Sequence, residues 1–125
     1  MDSESEPPLS TPATIYHNAR CSNSRGALAL LREHGIEPEV VDYLAHPLNV
    51  AQLQALVARL GVPVRDIIRS KEGLYEALGL GAPHWTDAQL LEQLAAHPQL
   101  LNRPIVVTPR GARLCRPPQL VLDLL

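Results

Sequence analysis

The sequence predicts an α/β fold in which a mixed sheet is interrupted by a block of helices. A β-branched and apolar run at residues 13–17 is followed by a polar turn, a helical apolar spacing and a second strand pattern at residues 39–44. Strand, helix and strand in this order imply parallel pairing through a right-handed crossover. Two further strand patterns, at residues 105–108 and 112–115, predict a terminal hairpin, and only helical patterns occur at about residues 49–98.

Length and composition favour one compact domain at residues 13–125 behind a disordered tail at residues 1–12. The chain has 125 residues, of which 46% are hydrophobic, and its lack of Phe leaves Leu, Val, Ile and Ala to build the core. The tail is acidic, rich in Ser and Pro, and without the regions of a signal peptide. A net charge of −2 gives no reason to expect nucleic acid, and no apolar run is long enough to cross a bilayer. We expect a cytoplasmic monomer.

The first helix and the helical block are bounded by local signals. Apolar spacing from Arg25 predicts the first helix, which should end near Gly35 because glycine favours the left-handed C-terminal position. In the helical block, capping residues and glycines mark where each element begins and ends. The first helix of the block is capped by Asn49 and ended by Gly61. A helical turn at 64–68, a short helix at 75–80 and a helix from Thr86 to His97 follow.

The terminal hairpin is followed by one more helix. Pro109, Arg110 and Gly111 form its turn, and Pro117-Pro118 can begin a helix because proline is tolerated in a first turn. The Arg103-Pro104 bond directly precedes a buried strand, which makes it a candidate cis bond.

Cys21 lies in the turn between the first strand and the first helix. The polar residues 22–24 follow it and can cap free backbone N–H groups. A thiol at this position faces the positive end of the helix dipole, and Arg20 and Arg25 add positive charge, so thiolate is favoured over thiol. The same turn can bind an oxyanion. The sequence therefore predicts a reactive Cys21, against the alternative of a small buried hydrophobe.

The remaining chemical groups give weaker signals. Cys115 falls at a strand end, where a packed thiol is favoured over a resolving thiol. Histidines show no metal-ligand spacing relative to the cysteines, so no metal site is expected. Tyr75 and Trp85 are interpreted as packing residues of the helical block.

Three segments, taken together, resemble the corresponding parts of the glutaredoxin-coupled arsenate reductases. They are Tyr16–Arg25, Asn102–Pro109 and Arg113–Pro117. The resemblance extends from residue 13 to the end of the chain. It implies a thioredoxin-like mixed sheet with a helical insertion.

The resemblance also implies a site. Cys21 matches the nucleophile that attacks arsenate, and three arginines match the groups that bind the oxyanion, namely Arg69, Arg103 and Arg116. Fork-shaped guanidiniums suit a tetrahedral anion. His17, Ser24 and Arg25 are candidates for supporting roles, with a strand-end histidine satisfied by the backbone as the alternative for His17.

Glutathione as co-substrate and glutaredoxin as partner are implied in the same way, with no bound cofactor. The alternatives are a non-enzymatic adaptor of the Spx type that binds RNA polymerase, and a family thiol reductase with another substrate. Ser24 stands where a second cysteine would complete the dithiol switch of many Spx-type regulators. Because Ser24 replaces that cysteine and all three arginines are present, the enzyme is favoured over the adaptor.

Overall fold

A computed structural model of the chain describes residues 13–125, so the predicted tail at residues 1–12 lies outside the described residues. The strands are β1 (Thr14–His17), β2 (Glu39–Asp42), β3 (Ile105–Thr108) and β4 (Gly111–Leu114). The α-helices are α1 (Ser22–Glu33), α2 (Val50–Leu60), α3 (Gly73–Ala77) and α4 (Asp87–Ala96). Short 3₁₀ helices occur at Val64–Ile67, Pro98–Leu100 and Pro118–Leu124.

The strands form a mixed sheet in the order β2-β1-β3-β4. β1 pairs in parallel with β2, whereas the β1–β3 and β3–β4 pairs are antiparallel. A parallel pair joined through α1 and a terminal hairpin is the arrangement that the sequence predicts, so the α/β fold class with a mixed sheet is confirmed.

The described residues form two compact units. The first contains the described residues up to Asp42 together with Arg103–Leu125, and therefore the whole sheet, α1 and the last 3₁₀ helix. The second unit is Tyr43–Asn102 and contains the helical block.

The core of the first unit is made of small and medium-sized apolar side chains. Ala27 and Leu31 of α1 pack with Ile15 of β1 and Val106 of β3. The cluster is completed by buried residues from the C-terminal segment, namely Cys115, Val121 and Leu124. Burial of each large aliphatic side chain contributes about 1.5–3 kcal/mol, so this cluster fixes α1 on the sheet.

Helices of the second unit are delimited by local hydrogen bonds. Asn49 and Gln52 form a reciprocal capping box at α2, and Thr86 and Gln89 form another at α4. Gly61 ends α2 with φ 68°, in the left-handed region. These three predicted boundaries are confirmed.

Other boundaries differ from the predictions. α1 begins at Ser22 and not at Arg25, so residues 22–24 form its first turn and Cys21 is its N-cap residue. The short helix ends at Ala77, because Gly79 has a φ of 67° and reverses the chain before Leu80. β2 ends at Asp42, since the chain turns away at Tyr43.

The candidate cis bond at Arg103-Pro104 is cis, and the Arg116-Pro117 bond, which the sequence analysis did not single out, is also cis. Within residues 13–125, none of the helices is long and apolar enough to cross a membrane.

Gly26 marks a close approach between α1 and the last 3₁₀ helix. A Cβ atom at this position would lie 2.9 Å from Cγ of Pro118, whose ring has little freedom to move. We therefore expect Gly26→Ala to lower the free energy of unfolding by about 1 kcal/mol, because overpacking outweighs the better helix propensity of alanine. Thermal unfolding followed by circular dichroism measures the change.

Gly73→Ala is the matched control, since nothing lies within 4 Å of a Cβ at Gly73. Equal melting temperatures for the two variants would contradict the close packing.

Candidate active site

The register of the terminal hairpin brings two arginines together. β3 and β4 pair Ile105 with Leu114, and the same register continued by two residues places Arg103 opposite Arg116. The continuation is fixed by hydrogen bonds: the Cys115 N–H donates to the Pro104 carbonyl at 2.8 Å, and Nη1 of Arg116 donates to the Arg103 carbonyl at 2.8 Å. The Arg116 guanidinium is therefore held by the backbone that carries Arg103.

The loop that carries Cys21 leaves the sheet at the same edge. β1 runs antiparallel to β3 with Tyr16 opposite Ile105, so the C-terminal end of β1 lies beside the N-terminal end of β3. Arg103 precedes β3, and the loop at residues 18–21 follows β1. Strand pairing thus places the cysteine loop next to the arginine pair.

Asn18 organises this loop. Its carbonyl accepts the Cys21 N–H at 2.9 Å, and its side-chain oxygen accepts the Arg20 N–H at 2.9 Å. Its own N–H donates to Oγ of the fully buried Ser24 at 3.4 Å. This role of Asn18 was not predicted, although asparagine at the start of a turn commonly makes such side-chain bonds to the backbone two residues on.

Cys21 is half-buried at the N-terminus of α1, in an extended conformation with φ −91° and ψ 122°. Burial alone raises the pKa of its thiol. Hydrogen bonds from the Ser24 N–H, the Arg103 side chain, the Asn23 N–H and the Ser24 hydroxyl outweigh this effect and lower the pKa from 9.0 to about 7. Near neutral pH a large fraction of Cys21 is therefore thiolate, the nucleophilic form.

Arg103 and Arg116 both contact the sulfur. Nη1 of Arg116 lies 3.6 Å from Sγ of Cys21, and the Arg103 side chain also hydrogen-bonds to the sulfur. Two guanidiniums and the N–H groups of a helical turn surround the same atom. This arrangement can stabilise a thiolate and can bind an anion that approaches it.

His17, the last residue of β1, is half-buried. Burial lowers the pKa of its imidazole, Asp42 opposes this effect, and Arg32 and Arg25 lower the pKa further, so the neutral form of the ring is favoured. Its Nδ1 is buried without a hydrogen-bond partner among residues 13–125, so the alternative of a backbone-satisfied histidine does not hold for this nitrogen.

The other predicted site residues occupy distinct positions. Ser24 and Arg25 lie on the first turn and a half of α1, and Nη1 of Arg25 donates to the Ala19 carbonyl at 2.8 Å. Arg69 belongs to the second unit, where it is half-buried and its N–H donates to the Leu100 carbonyl at 2.7 Å.

Cys115 has the opposite environment to Cys21. It is fully buried in the core of the first unit, and burial is the main cause that raises the pKa of its thiol to about 12. A protonated and inaccessible thiol agrees with the interpretation of Cys115 as a packed side chain. Within the described part of the chain, no three His, Cys, Asp or Glu side chains are grouped so that they could hold a metal ion.

Fold and site together define a thioredoxin-like protein with a cysteine thiolate at the N-terminus of its first helix. The model of the ArsC family matches residues 16–124. The chain belongs to the ArsC family, as the motif resemblance implies.

Relatives and solved structures agree with this assignment. An arsenate reductase of Rhizobium meliloti is 51% identical over 112 residues, which are 90% of this chain and 80% of the relative. The structure of an arsenate reductase from Vibrio cholerae is 46% identical with a TM-score of 0.88, over 90% of this chain and 97% of that one. The YfgD protein of Escherichia coli, whose name assigns no activity, is 45% identical over 88% of this chain and 93% of its own length.

The pH dependence of alkylation tests the thiolate. In the folded protein, we expect the iodoacetamide rate at Cys21 to rise through a midpoint near pH 7, because the pKa of this thiol is about 7. Ser24→Ala should move the midpoint to higher pH, since it removes the hydroxyl that stabilises the thiolate. Mass spectrometry of peptides assigns the label to each cysteine.

Cys115 provides the internal control and should stay unmodified up to pH 9 until denaturant is added. A midpoint for Cys21 near that of free cysteine would refute the stabilised thiolate.

Proposed function

We propose that this protein reduces arsenate to arsenite with Cys21 as the nucleophile. The observation that carries the proposal is the sulfur of Cys21 at a helix N-terminus, 3.6 Å from Nη1 of Arg116 and hydrogen-bonded by Arg103, with a pKa of about 7. A low-pKa thiol supplies the nucleophile, and the guanidiniums supply the charge that attracts an oxyanion. The arsenate reductases at about half sequence identity support arsenate as that oxyanion.

The oxyanion is bound by the groups that stabilise the thiolate. Arg103 and Arg116 offer forked donors beside the sulfur, and the Asn23 and Ser24 N–H groups offer two more. Arg69 is proposed as the third arginine, on the strength of the motif that it matches. Such donors also stabilise the charge that develops as an oxygen leaves, because they are fixed before the reaction begins.

The first chemical step joins sulfur to arsenic. The Cys21 thiolate attacks arsenic, an S–As bond forms, and an arsenate oxygen leaves as water after it is protonated. Arsenic stays pentavalent in this adduct. The short distance between Arg116 and Sγ keeps the anion within reach of the thiolate, so binding and attack use one set of groups.

Two thiols then supply the two electrons of the reduction. Glutathione attacks the arsenic of the adduct and a second water leaves. A glutaredoxin thiol next attacks the glutathione sulfur, so the As–S bond to glutathione breaks and its electron pair reduces arsenic to the trivalent state. Glutaredoxin and glutathione end as a mixed disulfide, and hydrolysis of the Cys21–arsenic bond releases arsenite. The proposal needs no resident cofactor and treats the protein as a monomer.

His17, Ser24 and Arg25 have supporting roles. The hydroxyl of Ser24 stabilises the thiolate directly and accepts the Asn18 N–H, which fixes the loop. The neutral imidazole of His17 can accept or pass on a proton at the edge of the sheet. Arg25 adds positive charge at the first turns of α1.

A family thiol reductase that acts on another substrate is the second candidate. The similarity to YfgD favours it, because the match covers 93% of that relative, against 80% of the Rhizobium meliloti arsenate reductase. The adaptor alternative has less support, since an adaptor that does no chemistry does not need a thiol with a pKa of about 7.

A coupled assay tests the activity. NADPH oxidation with glutathione, glutathione reductase and glutaredoxin should depend on arsenate in the parent protein. Cys21→Ser should abolish this dependence because it removes the nucleophile, whereas Cys115→Ser should keep most of it because Cys115 is buried and protonated.

Equal loss in the two cysteine variants, with circular dichroism spectra unchanged, would contradict a single nucleophile. No arsenate dependence in the parent protein, combined with turnover of a disulfide substrate, would support the second candidate.

Arg→Lys variants separate anion-binding arginines from surface charge. Lysine keeps the charge but lacks the planar, bidentate geometry of a guanidinium. Arg69→Lys, Arg103→Lys and Arg116→Lys should therefore each lose about 2–4 kcal/mol of transition-state stabilisation. This loss corresponds to a fall in kcat/KM for arsenate of about 30- to 1000-fold. Initial rates at varied arsenate concentrations give these values.

Arg32→Lys and Arg59→Lys are the controls, because both side chains are exposed on helices, and they should change the rate by little. Rates like those of the parent in the Arg103 and Arg116 variants would defeat the proposed oxyanion site.

A further inference from the structure

A groove of about 690 Å³ lies along the exposed side of α1, and we call it the α1 groove. His17, Ala19 and Arg25 line it at the end nearest the cysteine loop, Leu28 and Ala29 form its apolar floor, and Arg32 and Glu33 lie at its far end. It belongs entirely to the first unit. The proposed oxyanion chemistry gives His17 and Arg25 supporting roles and does not use the rest of the groove.

Arg25 is the cation of this groove that is placed closest to Cys21 along the helix. The Arg25 N–H donates to the Cys21 carbonyl at 3.0 Å, so the two residues are four positions apart, about 6 Å along the axis. Nη1 of Arg25 is fixed by the Ala19 carbonyl at 2.8 Å. A guanidinium has five N–H donors, and the other donors of Arg25 bond to nothing within residues 13–125.

The far end of the α1 groove is electrically different. Nε and Nη2 of Arg32 donate to the Glu37 carboxylate at 3.1 and 2.9 Å, so that guanidinium is already paired. Glu33 adds a negative charge beside it. Positive charge therefore remains at the end of the groove nearest Cys21, which is the end where an anionic group would bind.

We propose that the α1 groove binds the thiol co-substrate, an anionic peptide thiol of the glutathione type, with a peptide carboxylate on Arg25. One Cα–Cα step of about 3.8 Å separates a thiol-bearing residue from the terminal residue whose carboxylate follows it. Arg25 and Cys21 are about 6 Å apart along the axis of α1, and this step together with the side-chain and carboxyl bonds of the peptide spans that distance. A carboxylate held by Arg25 thus leaves the thiol beside Cys21, while Leu28 and Ala29 contact the methylene groups of the peptide.

The inference rests on the proposed function, in which a thiol attacks the adduct on Cys21. The added point is that Arg25 selects which thiol attacks the adduct. Arg25 contacts the co-substrate and not the oxyanion, and it thereby distinguishes a carboxylate-bearing thiol from a neutral one.

Thiol exchange on Cys21 tests the inference without arsenate. In the full chain, Cys21 is first converted to its mixed disulfide with 2-thiopyridine. An added thiolate attacks the Cys21 sulfur, a new disulfide forms, and 2-thiopyridine leaves with the electron pair and is measured by absorbance. Rate constants are determined for glutathione and for 2-mercaptoethanol, a neutral thiol, and their ratio is the readout.

Arg25→Gln should lower this ratio by about tenfold, since it removes the charge-assisted bond to the carboxylate, and the 2-mercaptoethanol rate corrects for any change at Cys21 itself. Arg25→Lys should restore part of the ratio. Arg59→Gln is the matched control, because it makes the same charge change at an exposed arginine of α2, outside the α1 groove, and its ratio should stay within about twofold of the parent.

An unchanged ratio in Arg25→Gln would overturn the inference. So would an equal fall in Arg25→Gln, Arg59→Gln and Arg20→Gln, which would indicate a general effect of net charge on glutathione. Because the readout needs only the Cys21 thiol, failure of the coupled arsenate assay would leave this result interpretable, and failure here would leave arsenate reduction standing.

Discussion

The antiparallel register of β3 and β4 is the constraint on which the site depends. Side chains alternate across a sheet, so a slip of one residue would turn the end of the hairpin to the other face. In the observed register Arg103 lies opposite Arg116, and the Arg103 carbonyl holds the guanidinium that reaches Cys21. A set of backbone hydrogen bonds thereby determines which charges surround the sulfur.

The second requirement is that α1 begins at the right place. Its N-terminus is directed at the site only because Ala27 and Leu31 are buried in the core and Gly26 allows Pro118 to approach closely. The same helix then presents the N–H groups that lower the pKa of Cys21. The packing of small apolar side chains along α1 thus determines which N–H groups face Cys21 at the N-terminus of the same helix.

The two cysteines show how far environment controls the chemistry of one residue type. Burial raises the pKa of both thiols. At Cys21, hydrogen bonds from backbone and arginine donors outweigh it and bring the pKa to about 7, whereas at Cys115 the thiol lies in the apolar core and burial brings the pKa to about 12. Only the first thiol combines access with nucleophilic character.

Features that depend on neighbours a few residues away could be predicted from the amino-acid sequence. Capping of α2 and α4, the end of α2 at Gly61 and the turn position of Cys21 follow from local side-chain and backbone bonds, which is why they could be predicted. The start of α1 could not, because Cys21 caps it without a side-chain hydrogen bond that the sequence would signal. The contact between Arg116 and Cys21 could not be predicted from local patterns, since these residues are 95 positions apart and only the pairing of three strands brings them together.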